Sequence, residues 1–240
     1  MEKLPLADET DPAIPAATVV LVRDGASGLE TLMLKRDSRL AFAGGAWVFP
    51  GGRIDAEDFP GGVAPTDAES DPAPETMLEA ARTAAVREAL EEAGLAVDRD
   101  SLVWFAHWTP AHASPRRFAT WFFLAPAPDG TVVIDDGEIR EHEWIRPRDA
   151  VARRDAGEVE LVPPTYVTLH ELAAYDSVDA AIAGLDSGTP PFFVTRIARV
   201  DGGLVSLWQG DAGYETLDPD VPGPRNRLLM LDTGWVLERS

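Results

Sequence analysis

The sequence contains no cysteine among its 240 residues, which excludes disulfides, thiolate zinc sites, iron–sulfur clusters and cysteine nucleophiles. Histidine is scarce. His107, His112, His142 and His170 are the only four, and without metal-ligand spacing each reads as a structural or exposed side chain. Positive charge is also in short supply, because 21 Lys and Arg face 41 Asp and Glu for a net charge of −20. A negative field of that size repels nucleic-acid backbones and anionic lipid surfaces, so a general DNA or RNA binder is not expected. An anionic substrate would need local positive charge, from bound metal or a few placed arginines, to offset that field. No apolar run approaches the length of a membrane-spanning helix. The opening MEKLPLADETDPAIPAA is acidic and broken by proline, and it lacks the apolar stretch of a secretory signal. A soluble cytoplasmic protein is the expectation.

With 45% hydrophobic and 26% charged residues, the chain can build a well-buried core in one large or two small domains. Residues 17–23 (ATVVLVR) and 31–35 (TLMLK) read as a β-hairpin around DGASG at 24–28. A third run, AWVF at 46–49, stops at Pro50, where Gly51 and Gly52 allow backbone geometries closed to other residues. From 53 to 75 the chain is acidic, rich in proline and glycine, and without apolar periodicity, which predicts an exposed loop.

Residues 77–93 form the clearest helix, with Leu78, Ala85, Val86, Ala89, Leu90 and Ala93 on one arc and Gly94 at the left-handed C-cap position. Strands are expected at 102–108, 118–125 and 141–145, then helices from 147 to 154, 166 to 175 and 178 to 185. Runs at 192–200 and 204–208 bracket Asp201-Gly202-Gly203, and 228–231 and 235–237 flank Asp232-Thr233-Gly234, each a hairpin signal. Trp47, Trp104, Trp108 and Trp121 lie in strands and are expected in the core.

The chemistry-bearing stretch is REALEEAGL at 87–95. Glu88, Glu91 and Glu92 stand at i, i+3 and i+4, so three carboxylates project on one side of the helix. Like charges so placed repel by roughly 0.2–0.5 kcal/mol per pair. A hard divalent cation such as Mg²⁺ or Mn²⁺ turns that repulsion into attraction. Gly51 and Gly52, between a strand and this helix, would let a backbone carbonyl approach such an ion.

These residues resemble the Nudix hydrolases, whose box reads G-x5-E-x7-R-E-U-x-E-E-x-G-U, with U a bulky apolar residue. Glu79, seven residues, then 87–95 match its second half, with Ala89 small for its position. The first half departs, since Gly52 and Glu79 are 27 positions apart where the family has six. Asp58 lies at the family distance from Gly52, but Thr66 then falls where Arg should be, so the glutamate is placed at Glu79 beyond an insertion of about 21 residues. LMLKR at 32–36 and the run GGAWVFPGGRID at 44–55 are similar to the acyl-coenzyme A diphosphatase branch, although Ala41 stands where a second basic residue is common. PRRFAT at 115–120 resembles the same branch, as does GPRNRL at 223–228 less specifically.

The resemblance implies a Nudix α/β/α sandwich with a mixed sheet. It divides the chain into a polar lead-in at 1–16, a catalytic core at 17–155 with the inserted loop 53–75, and a C-terminal helical and β extension at 156–240. It implies Mg²⁺ or Mn²⁺ held by Glu88, Glu91, Glu92 and the Gly51 carbonyl, with Arg87 and Glu79 supporting them. Glu138 is the choice for a further acid, ligand or base, and Glu141 the runner-up. Arg36, Arg53, Arg116 and Arg117 are candidate substrate contacts; of the last two, strand alternation turns only one to the site. The implied partner is a small nucleotide-type molecule, coenzyme A or an acyl-coenzyme A first, with ADP-ribose, NADH and nucleoside triphosphates as rivals. A non-catalytic nucleotide-sensing domain is the alternative of another class. A homodimer is reasonable by analogy alone.

Overall fold

The structure, a computed structural model, describes residues 13–40, 43–64, 73–111, 117–134, 137–186 and 188–240. The chain forms two compact units. One comprises Pro15–Ala106 and Thr120–Pro190, the other Met1–Ile14, His107–Ala119 and Pro191–Ser240.

In the larger unit, β1 (Ile14–Gly25) and β2 (Gly28–Arg36) make the expected antiparallel hairpin, with Gly25 opposite Gly28 across a two-residue turn. Gly28 sits at φ +113°, a torsion that side chains other than glycine's rarely take. Next, β3 (Trp47–Val48) pairs with β2, and β4 (Gly51–Arg53) pairs with β1. Helix α1 (Pro74–Ala93) precedes β5 (Val103–Thr109), β6 (Phe118–Pro126) and β7 (Ile139–Ile145). The strand order is β3-β2-β1-β6-β5, and β7 runs antiparallel to β2. Helices α2 (Pro147–Asp155), α3 (Pro163–Leu172) and α4 (Val178–Leu185) follow. This is a mixed α/β fold of the expected kind.

Two expectations need correction. Helix α1 begins at Pro74 rather than Met77, because proline at a first helical position has no amide left to satisfy. Its buried face is Ala80, Ala81, Ala84, Ala85, Ala89, Glu92 and Ala93, whereas Leu90, placed on the apolar arc, is 53% exposed. A face of methyl groups lets the helix backbone lie close to the sheet, where Val19, Leu21, Leu32, Leu34 and Phe123 complete the core. The region 53–75 is also less open than its composition suggests. Ile54, Asp58 and Phe59 are buried, and Ala56–Asp58 is a single helical turn followed by a turn through Gly61 and Gly62 at φ +81° and +72°, while 65–72 lie outside the described residues.

In the smaller unit, β8 (Phe192–Val194) runs parallel to residues 107–109 of β5. The strands β9 (Arg196–Val200), β10 (Gly203–Leu207), β11 (Asn226–Leu231) and β12 (Gly234–Arg239) form an antiparallel sheet in the order β12-β11-β10-β9. Trp108 stacks on Phe193 with ring centroids 4.0 Å apart, and Trp208 meets both rings edge-on. Trp47 and Trp108 are buried, while Trp104 and Trp121 pack half-buried against the core. Arg227 is 4% exposed and spans Asp211 with Nε at 2.7 Å and a second nitrogen at 2.6 Å. Burial pushes Asp211 up, but Arg227 and the N–H groups of Asn226 and Gly213 outweigh it and hold it down at about 2. Arg227 is thus a buried clasp of this unit.

Candidate active site

The site grows from the sharp end of the third sequence run. Pro50 closes it, and β4 then lies along β1 with Thr18 opposite Gly51 and Ala17 opposite Gly52. Neither glycine lies at positive φ; both are required for space instead of torsion. A Cβ on Gly51 would stand 2.5 Å from the Ala17 carbonyl oxygen, and one on Gly52 would stand 2.3 Å from a Glu88 carboxylate oxygen. Helix α1 lies against this bare backbone. Its Glu92 carboxylate accepts the Gly51 N–H at 3.0 Å. For Gly51, expected to offer its carbonyl, the amide is thus the group seen to meet a site glutamate.

Arg87 is the hub. One terminal nitrogen donates to Glu88 at 2.8 Å and to Glu91 at 3.0 Å. Its Nε and other terminal nitrogen grip Asp58 as a two-pronged pair at 3.0 and 2.8 Å, and the latter also reaches the Arg53 carbonyl at 3.0 Å. Asp58 has almost no exposed surface and also accepts the Asp55 N–H at 2.8 Å. The hydrogen bonds that Arg87 donates to Asp58, foremost, raise its guanidinium further above its usual range. Glu79, expected to support this network, does not reach it. It is exposed and pairs with Arg99. Eight helical residues put about 12 Å along the axis between Glu79 and Arg87. Asp58, on the chain before the insertion, folds back to meet Arg87 instead. Its G-x5-D spacing from Gly52 was the available signal, and the insertion masked it.

Glu138, just before β7, comes to this region through Arg36. Arg36 donates to Glu138 at 2.8 Å, and its other terminal nitrogen lies 3.8 Å from Glu92. The Arg36 side chain is 16% exposed, and its Nε is buried with no hydrogen-bond partner among the described residues. Glu141 instead pairs with Lys35 at 2.7 Å, its cross-strand neighbour in the β2–β7 register. Burial pushes the Glu92 carboxyl up to about 8, with the Gly51 N–H and Arg36 pulling against it and Glu88 and Glu138 adding to it. Burial likewise raises Glu88, while Arg87 opposes. Glu91 is 58% exposed and faces Arg87. Arg53 is 64% exposed and pairs with Asp55, Arg117 is half-buried in the smaller unit, and Arg116 lies outside the described residues.

The pattern of the NUDIX domain matches residues 13–164, more than half of the chain, and the chain belongs to the Nudix family. A Caenorhabditis elegans relative named Putative nudix hydrolase 7 is 28% identical over 179 residues, which cover 59% of this chain and 55% of that protein. The chain thus matches only about half the length of that relative. The crystal structure of a Nudix hydrolase from Alicyclobacillus acidocaldarius superposes with a TM-score of 0.62 at 25% identity, covering 75% of this chain and all of that one.

The family implies a divalent metal, and the donor chemistry fits one. Burial raises the protonation of half-buried Glu88 and buried Glu92 despite Arg87 and Arg36 beside them, and carboxylate oxygen donors of this kind suit a hard cation. Among the described residues, no group of three or more histidine, aspartate or glutamate side chains is placed to hold a metal ion.

Proposed function

We propose that the chain hydrolyses the diphosphate bond of a small nucleotide-type molecule, with coenzyme A or an acyl-coenzyme A as preferred substrate. The catalytic core is assigned to residues 17–155, with 156–240 as its extension. One observation carries the chemistry: two carboxylates one helical turn apart, buried Glu92 and half-buried Glu88, lie against the glycine backbone at the start of β4. Glu88, Glu91 and Glu92 would hold Mg²⁺ or Mn²⁺, which when bound neutralises diphosphate charge and acidifies a water. Arg87, locked by Asp58, fixes the rotamers of Glu88 and Glu91. Arg36 holds Glu138 at the edge of the site, where that carboxylate can take a proton. The coenzyme A preference rests on the LMLKR and GGAWVFPGGRID runs.

The test is hydrolysis with Mg²⁺ across coenzyme A, acetyl-coenzyme A, ADP-ribose, NADH and nucleoside triphosphates, with products weighed by mass spectrometry. Coenzyme A is expected to give adenosine 3′,5′-bisphosphate and phosphopantetheine. Faster turnover of ADP-ribose would move the substrate assignment, and nucleotide binding without any hydrolysis would define a sensor. Within the site, Glu138→Gln is expected to lower the maximal rate about 10²-fold, the scale of a positioned acid–base group. Glu141→Gln should change it little, since that carboxylate pairs with Lys35 on the strand. The reverse ranking, read from steady-state rates, would transfer the role to Glu141.

A further inference from the structure

Beside the carboxylate cluster, the end of β2 carries a second arrangement that the hydrolytic chemistry does not use. Asp37, the residue after Arg36, has a side chain only 8% exposed, and its Oδ2 receives two guanidinium groups. Arg39 donates to it at 2.7 Å from a terminal nitrogen and at 3.2 Å from Nε. Arg140 donates from Nε at 2.7 Å and also from a terminal nitrogen. Oδ1 accepts the Arg39 N–H at 2.9 Å and its Nε at 3.1 Å, so the short turn after β2 is fastened to the same carboxylate. The hydrogen bonds from Arg39, then Arg140, hold the Asp37 carboxyl well below the usual carboxylate range.

A surface ion pair needs one partner for one carboxylate, and it contributes little when exposed. Here a buried carboxylate anchors two arginines whose side chains still reach solvent, Arg39 at 79% and Arg140 at 41%. In a chain of net charge −20, two arginines sharing one carboxylate leave one net positive charge at this point. Of the neighbouring cations, Lys35 pairs with Glu141 and Arg36 with Glu138. The fork borders the carboxylate cluster. The Asp37 N–H donates to the Glu138 carbonyl at 2.7 Å, and Arg140 stands two residues beyond Glu138.

We propose that Asp37, Arg39 and Arg140 form a phosphate-monoester subsite. The two guanidiniums grip a terminal phosphate of the nucleotide while its diphosphate lies at the glutamates. Asp37 is the positioning residue, setting both guanidiniums at a fixed spacing before the ligand arrives, which lowers the ordering cost of binding. This rests on the hydrolytic reading above only for the placing of the diphosphate.

The test measures calorimetric binding to the full chain in chelator, with adenosine 3′,5′-bisphosphate, 5′-AMP and inorganic phosphate as probes. The bisphosphate is expected to bind at least about 10-fold more tightly than 5′-AMP, the scale of charge-assisted hydrogen bonds. Arg39→Gln and Arg140→Gln should each bring that ratio to within about twofold. Arg39 is exposed enough that its replacement should not disturb folding. Asp37→Asn should also erode the ratio. Inorganic phosphate binding as tightly as the bisphosphate would overturn the assignment to a nucleotide. In turnover, wild-type protein should prefer coenzyme A over dephospho-coenzyme A, and Arg39→Gln should lose the preference through KM with kcat kept. If coenzyme A is cleaved but both arginine variants keep the preference, the subsite is wrong. If neither form is cleaved yet the bisphosphate ratio depends on both arginines, the subsite stands and the substrate assignment falls.

Discussion

Glu92→Gln is expected to fold and to turn over about 10³-fold more slowly than the native chain. That factor matches the several kcal/mol of charge stabilisation a catalytic metal supplies, at tenfold per 1.36 kcal/mol. The same substitution should have a second signature without substrate. The folded Glu92 carboxyl titrates near 8, against an ordinary value of 4.5. Between those values the folded chain keeps a proton that the unfolded chain releases. The Glu92 contribution to the stability of the chelated protein therefore falls as pH rises from 4.5 to about 8 and is flat beyond, while His107, lowered by burial to about 4, adds a slope of opposite sign below about 6.5. Glu88 is raised as well and adds a slope of the same sign as Glu92. Asp37 and Asp211 are lowered, so their stabilisation is present at these pH values and is lost only in acid. Glu92→Gln removes the Glu92 contribution, so urea midpoints at pH 7 and pH 8, above the His107 window, should lie closer together in the variant than in the native chain.

Added Mg²⁺ should reverse the trend in the native chain, raising Tm more at pH 8 than at pH 5, because the ion competes with the proton for the same carboxylates. In Glu92→Gln the shift should shrink at both. Unchanged turnover, or an undiminished Mg²⁺ shift, would remove Glu92 from the metal site.

Much of the architecture follows from local pattern. The β1–β2 hairpin, α4 and the Gly94 cap at φ +67° lie where turn residues, helical spacing and a left-handed glycine place them. The clustering of Glu88 and Glu92 near Gly51 and Gly52 was equally legible, since i and i+4 on a helix is a fixed geometry. What periodicity could not supply was the partner of each charged group. The β2–β7 register pairs Lys35 with Glu141, and Arg36 reaches Glu138, across about a hundred residues of sequence. Asp37 gave no sign of burial, because its two arginines arrive from the following turn and from β7. Leu90 was misassigned for a related reason. Where a helix packs closely on the sheet core, its buried face takes alanine, and the larger side chain turns outward.

Asp58→Ala is expected to lower stability by about 3 kcal/mol, near the lower end of the cost of breaking a buried ion pair. The lower end applies because Arg87 keeps a quarter of its side-chain surface in solvent and retains Glu88, Glu91 and the Arg53 carbonyl. Asp58→Asn keeps the shape and an acceptor for the Asp55 N–H, so its cost should be about 1–2 kcal/mol. Glu79→Gln breaks only an exposed pair with Arg99 and should cost less than about 1 kcal/mol. Urea midpoints of the three variants, in chelator, rank the acids directly. Activity should follow the same order at saturating Mg²⁺. With Asp58 gone, Arg87 is no longer gripped from below, the rotamers of Glu88 and Glu91 are less restricted, and a loss of about 10–100-fold is the usual scale for such support. If Glu79→Gln costs more than Asp58→Ala in both measurements, the helix glutamate carries the network after all, and the Arg87–Asp58 grip is merely a tether for the turn at Ala56–Asp58.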